Sequence, residues 1–157
     1  MSYRISRNVE ASIIDYITAE LTTDGWIGVR VEKAFAEVYR SNLPCLCINV
    51  STRPDKRREI GTNSLSKFVN IEIRIFATSD GQRLDLADWL LEKVMPGIAY
   101  YSYTITDGMV SEKTLTGRIN ILEIVANRKE LVNLEGLSKE DRYRHLLSLR
   151  CRVATTV

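Results

Sequence analysis

The side chains able to do chemistry are few and scattered in this sequence. Asp85 and Asp88 lie one helical turn apart in SDGQRLDLADWLLEKVMPG, and Glu92 continues the same acidic face. Paired carboxylates can share acid and base roles in a hydrolysis, and a small hydrolase using Asp85, Asp88 or His145 is one reading of these residues. The same spacing is that of solvated charges along an amphipathic helix, where carboxylates ordinarily sit. His145 is the single histidine. A general base needs a nucleophile and an orienting partner within reach, and Tyr143-Arg144-His145-Leu146 reads as the start of a strand. Gly81, Gly97, Gly108 and Gly117 are isolated turn glycines, with neither GxGxxG nor Walker spacing. Cys45, Cys47 and Cys151 are odd in number, and the amino terminus lacks an apolar signal core, so reduced thiols in a cytoplasm are expected. One histidine argues against a Cys/His zinc site, and no catalytic or cofactor-binding signature rises above background.

Three further groups suggest contact rather than chemistry. Arg53, Lys56, Arg57 and Arg58, followed by Glu59, lie in the polar connection RPDKRREIGTNSLS. They could meet phosphates, and a nucleic-acid adaptor using Arg57 and Arg58 is a second reading. Against it stands a net charge of +2 from 22 basic and 20 acidic residues, where a strongly basic domain is the usual footprint. Tyr100, Tyr101 and Tyr103 cannot all point inward, because Tyr100 and Tyr101 face opposite ways on a strand. An exposed tyrosine suits a protein interface. Arg150 and Arg152 alternate on the outer face of the last strand, a pattern that either protects an edge strand or pairs with acids on a neighbouring subunit.

The elements that hold these groups follow from hydrophobic period. Val69, Ile71, Ile73 and Ile75 alternate with Asn70, Glu72 and Arg74, which predicts a strand with one buried face. Leu84, Leu86, Ala87, Leu90, Leu91, Val94 and Met95 then recur at three- and four-residue steps, which predicts a helix capped by Ser79 or Asp80 and ended by Pro96-Gly97. Earlier, Val9, Ile13, Ile14, Ile17 and Leu21 form the stripe of a helix over Ser6 to Thr22, with Ser6 or Asn8 as cap and Asp24-Gly25 as its end. Strands are expected at Trp26 to Val31, Cys45 to Thr52, Ala99 to Thr106, Thr114 to Asn127 and His145 to Thr155. The near-continuous apolar character of Ile119 to Ala126 predicts a strand covered on both faces. Lys33 to Asn42 is expected to be irregular with a short helical turn. Arg53 to Ser66 is read as a long hairpin and Arg128 to Arg144 as a polar linker with a weak helical turn. With 157 residues the chain is one domain, residues 1–157, and no apolar run is long enough to span a bilayer. Runs of strands with two helices to one side predict an α+β fold: a mainly antiparallel sheet packed against two helices, with a long protruding hairpin.

This pattern resembles the tail terminator, or tail-completion, proteins of long-tailed bacteriophages. The likeness lies in the opening helix NVEASIIDYITAEL, the strand-to-helix unit FVNIEIRIFATSDGQRLDLADWLLEKV after a polar hairpin, and the closing strand HLLSLRCRV. It implies a virion protein of the tail neck, assembled in the host cytoplasm. Such proteins form a ring, usually of six subunits, which caps the head-proximal end of the tail tube, ends its polymerisation and joins the tail to the head connector. The implied partners are other copies of the chain, the tube protein and a head-completion protein, with DNA passing through the lumen and no membrane involved. Under the resemblance, Arg53, Lys56, Arg57, Arg58 and Glu59 would meet the tube or a neighbouring subunit. Tyr100, Tyr101, Tyr103, Arg150 and Arg152 would be subunit contacts. Another neck or head-completion protein of similar size is the alternative within this class.

Overall fold

The computed structural model describes residues 4–33, 43–57, 65–130 and 142–155, the side chains of residues 56, 57, 65 and 66 excepted. The alternation in the middle of the chain is realised as β5 (Phe68–Phe76), in which Val69, Ile71, Ile73 and Ile75 are all buried. Each such side chain taken out of water contributes about 1.5–3 kcal/mol. A one-residue slip would turn all four outward, so the buried face sets the register. Ile73 accordingly pairs with Ile48 of β2 (Cys45–Thr52) on one side and Leu147 of β8 (Arg144–Thr155) on the other.

Among the described residues the remaining elements are α1 (Ile5–Thr23), β1 (Arg30–Glu32), β3 (Lys56–Arg57), β4 (Leu65–Ser66), α2 (Asp80–Val94), β6 (Ile98–Thr106) and β7 (Met109–Lys129). Six strands form one sheet in the order β1-β2-β5-β8-β7-β6, antiparallel throughout except between β1 and β2. The fold is α+β: a mainly antiparallel, curled sheet with two helices packed against it. β3 and β4 pair with each other as a separate ribbon. The rest of the expected hairpin, including Arg58 and Glu59, lies outside the described residues, as do the turns expected within Lys33 to Asn42 and Arg128 to Arg144.

Helix α1 buries Val9, Ile13, Ile17 and Leu21 against the sheet, as its stripe predicts. Its polar side chains have a second task. The Tyr101 backbone N–H donates to Ser12 Oγ at 3.0 Å, the Ser12 hydroxyl lies 3.4 Å from the Tyr101 carbonyl, and the Tyr103 N–H donates to Asn8 Oδ1 at 3.4 Å. Between these two in sequence, and so on another side of the helix, Glu10 accepts from the Val50 N–H of β2 at 3.1 Å. The helix thus reaches from β6 to β2, and its side chains replace a neighbouring strand along the β6 edge and at Val50, past the end of the short β1. Asn8 is consumed by this task and does not cap the helix; the cap position is Arg4, without a side-chain cap bond. Asp24 ends the helix as expected, with Gly25 at φ +79°.

Helix α2 begins as its sequence predicts, with Ser79 Oγ accepting from the Gln82 N–H at 3.2 Å. The carboxy-terminal ends of the two helices are tied together. Trp26 and Trp89 pack at 6.2 Å between ring centroids, Trp89 Nε1 donates to Asp24 at 2.8 Å, and Lys93 reaches Asp24 at 2.7 Å and Glu20 at 3.2 Å.

Three expectations are corrected. Trp26 to Val31 is not a strand: β1 is only Arg30–Glu32, because Gly28 sits at φ +86°, a conformation outside the strand region, and Ile27 is 95% exposed. β8 is not an edge strand but lies between β5 and β7, so Arg150 and Arg152 do not guard an edge. The stretch Ile119 to Ala126 is not covered on both faces. Only Ile119 in it is buried, while Leu122, Ile124 and Val125 are exposed.

Candidate subunit interface

Strand β7 runs for 21 residues, longer than either neighbour. It uses the two neighbours in tandem. Met109 to Ile119 pairs with β6, and Gly117 to Lys129 pairs with β8. At Gly117 the strand passes from one partner to the other. A Cβ there would lie 2.0 Å from the Ala154 carbonyl oxygen, so the close approach of β8 requires glycine. The hairpin joining β6 to β7 turns through Asp107 and Gly108, both with positive φ (52° and 78°), the conformation of a tight two-residue turn.

Two stretches of β7 therefore lack a strand on one side, among the described residues. Met109 to Thr116 has β6 on one flank and no strand on the flank that β8 takes up later. Asn120 to Lys129 has β8 on its flank and no strand on the side that β6 occupies earlier. Irregularities between Ile121 and Glu123, and between Ile124 and Ala126, leave Leu122 and Val125 without a directly opposed residue on β8. Nine large hydrophobic side chains are exposed among the described residues, and six of them belong to this strand: Met109, Val110, Leu115, Leu122, Ile124 and Val125. Single exposed hydrophobics need no explanation, but a run of them on one long, partly unpaired strand marks a contact surface or an aggregation hazard.

The residues singled out in the sequence fall elsewhere. Tyr100 and Tyr103 are buried, with Asn8 Nδ2 3.5 Å from the Tyr100 hydroxyl and the Tyr103 hydroxyl donating to Asp15 at 2.7 Å. Both rings are taken up inside the chain, and Tyr101 alone is half exposed, with Lys113 Nζ 4.7 Å from its ring centroid. Arg150 lies over the Phe68 ring at 5.3 Å, and its Nε is buried without a hydrogen-bond partner. Arg152 is exposed. Arg53 pairs with Asp55 at 2.5 Å, and Asp55 also accepts from the Phe68 N–H at 3.1 Å, so this arginine anchors the base of the connection. Lys56 and Arg57 are the two residues of β3, and they pair with Ser66 and Leu65.

The candidate chemical groups make no hydrogen bond to one another among the described residues, although the Asp88 charge acts on His145 as the smallest of the influences on its imidazole. Asp85, Asp88 and Glu92 are exposed along α2. His145 is buried between two partners: Arg83 lies 2.6 Å from Nδ1, and Asn127 Oδ1 lies 2.6 Å from Nε2. Arginine only donates, so Nδ1 accepts and Nε2–H donates to Asn127. Burial, followed by the Arg83 charge, pushes the imidazole pKa down, which fixes the neutral ring as a connector between α2, β8 and β7. Cys45 and Cys47 are buried beside Phe76, and Cys151 lies in the main core. Burial pushes Cys45 and Cys151 up to about 12, so both are neutral thiols. Among the described residues no cluster of acidic, histidine or cysteine side chains is arranged to hold a metal ion, and no helix is long and apolar enough to cross a membrane.

Fold and exposed strand together define an α+β domain with an outward-facing strand surface. The chain matches no family model and no curated protein.

Proposed function

We propose that this chain is a structural protein of a long-tailed bacteriophage that works by oligomerising: a tail terminator whose ring, of six subunits, caps the head-proximal end of the tail tube and joins it to the head connector. The observation that carries the reading is β7, which gathers six exposed large hydrophobic side chains onto one strand whose two flanks have no strand partner among the described residues. A protein that stays monomeric gains nothing from such a strand, whereas a subunit of a cyclic ring needs two different complementary surfaces. The likeness of the helix, strand-to-helix unit and closing strand to tail terminators supplies the identity of the ring. Its partners are then further copies of the chain, the tube protein and a head-completion protein, and its place is the neck of the virion.

The experiment is to add the purified protein to tail tubes assembled from the tube protein of the same phage, and to follow tube length by negative-stain microscopy. A terminator halts elongation and shows extra density at one tube end. Unimpeded elongation with bare ends contradicts the proposal.

A further inference from the structure

Both helices pack on one face of the sheet, and no helix among the described residues covers the other face. On β8 the core side chains are Leu147, Leu149, Cys151 and Val153, so Arg150 and Arg152 stand on the open face. The register sets Arg128 of β7 beside Leu146 and Arg118 beside Ala154, which adds an arginine at each end of the same row. The row follows β8 from Leu146 to Ala154, roughly 27 Å at the rise of an extended strand.

The open face is not uniform in charge. In one part, Glu72 and Glu130 neutralise Arg74, and Glu130 also holds Arg144. The row along β8 has no such balance. Arg118 donates to the Pro96 carbonyl at 2.5 Å, but none of the four arginines makes an ion pair among the described residues. One acid, Glu123, stands opposite Arg150 without bonding to it. Arg150 is held against the Phe68 ring, and its Nε lacks an acceptor. An arginine ordered in advance loses little freedom when a carboxylate arrives, and arginine is enriched among the residues that carry binding energy.

The complementary charge lies on the opposite side of the domain. Helix α2 covers β5 and β8 with Leu86, Ala87, Leu90 and Val94, so Asp85, Asp88 and Glu92 point away from the sheet. These three carboxylates likewise make no ion pair among the described residues. We propose that the open face of the sheet is the docking site for α2 of a second copy, with Asp85, Asp88 and Glu92 of one chain lying along the arginine row of the next. This rests on the oligomeric reading above and names a surface by which the copies meet. Asp85 to Glu92 spans roughly 10 Å along the helix axis and fits within the arginine row. The exposed Leu84 and Met95 of α2 supply apolar area beside the charges. Arg128 belongs to β7, so the contact adjoins the exposed strand. Each copy offers one face and accepts the other, a heterologous contact that repeats from subunit to subunit and closes into a ring when the rotation per step allows. Two sheet faces, or two α2 faces, would repel, which disfavours a symmetric pair.

The test uses the full chain and four exposed positions. One variant reverses the sheet face, combining Arg128→Glu with Arg152→Glu. The other reverses the helix face, combining Asp85→Lys with Glu92→Lys. Each alone sets like charges across the contact and is expected to self-associate about fivefold to thirtyfold more weakly than wild type in sedimentation velocity. An equimolar mixture is expected to regain wild-type association, because in alternating order every contact again joins acids to bases. Damage to the fold of one variant cannot be repaired by mixing. Variants that associate like wild type, or a mixture no stronger than its components, overturn the proposed contact. The wild-type protein alone judges the oligomeric reading: if it associates and the variants match it, only this surface falls, whereas a wild type that stays monomeric removes both.

Discussion

Ser12 is the side chain on which the seal between α1 and β6 depends. It is 1% exposed, and its hydroxyl is the partner of the Tyr101 N–H at 3.0 Å, with the Tyr101 carbonyl at 3.4 Å. Ser12→Ala leaves that N–H buried beside a methyl group. An orphaned buried donor costs about 1–3 kcal/mol, while alanine returns about 0.5 kcal/mol of helix propensity. The longer contact to the carbonyl adds little, so the net loss is about 0.5–2.5 kcal/mol. For a domain of this size each kcal/mol lowers the melting temperature by roughly 2–4 °C, giving a fall of about 1–10 °C. Thr18→Ala is the control: its exposed hydroxyl only bonds back to the Ile14 carbonyl at 2.7 Å, and the change is expected to stay within about 0.5 kcal/mol. Calorimetry reads the melting temperature, and hydrogen exchange reads Tyr101 directly, since its amide loses protection when the seal opens. If Ser12→Ala melts with wild type and Tyr101 stays protected, the helix does not seal the edge through this residue.

Other sites give equally definite outcomes. Gly117→Ala places a Cβ 2.0 Å from the Ala154 carbonyl and 2.9 Å from Thr155 Cα, both backbone atoms that cannot swing aside, so the melting temperature drops sharply and β8 detaches from β7 in exchange measurements. His145 has a folded pKa below its ordinary 6.5, so the folded state resists protonation and the contribution of the neutral ring is complete above pH 6.5. Stability falls as pH drops from 6.5 through the folded pKa, and this dependence between pH 7.5 and 5 is lost in His145→Gln, as urea titrations at the two pH values would show. Cys45, Cys47 and Cys151 are buried and their thiols are raised, so a disulfide reagent at pH 8 labels none of them in the native protein and all three in denaturant.

What the sequence made legible is the part where one face is buried and one is wet. The alternation of β5 and the three-four spacing of α2 predict their elements because burial on one side leaves its period in the chain. The solvated row of Asp85, Asp88 and Glu92 follows from the same rule. Strand order is another matter. Nothing in Leu147 to Val153 states that β8 has a neighbour on each side, and its alternating arginines look alike on an edge strand and over an inner strand's polar face. Gly28 stands inside the alternating run Trp26 to Val31, yet its positive φ keeps the strand from starting before Arg30. The most consequential misreading is at Ile119 to Ala126. A strand covered by its own domain and a strand kept for another chain need the same apolar residues, so composition predicts covering without revealing whose surface covers it. The three tyrosines show the converse. Tyr100 and Tyr103 looked available to a neighbour, but Asn8 and Asp15 of α1 engage both hydroxyls across the sheet edge, a contact between residues nearly a hundred positions apart in the chain.

Self-association through an exposed strand is the centre of this account, and native mass tests it most directly. Light scattering on a sizing column would follow the wild-type protein from about 1 µM to about 1 mM, the range of weak to moderate interfaces. The account predicts a mass that rises with concentration toward six times the 17.9 kDa chain, with ring-shaped particles in the heaviest fractions. A mass fixed at 17.9 kDa across the whole series would contradict it.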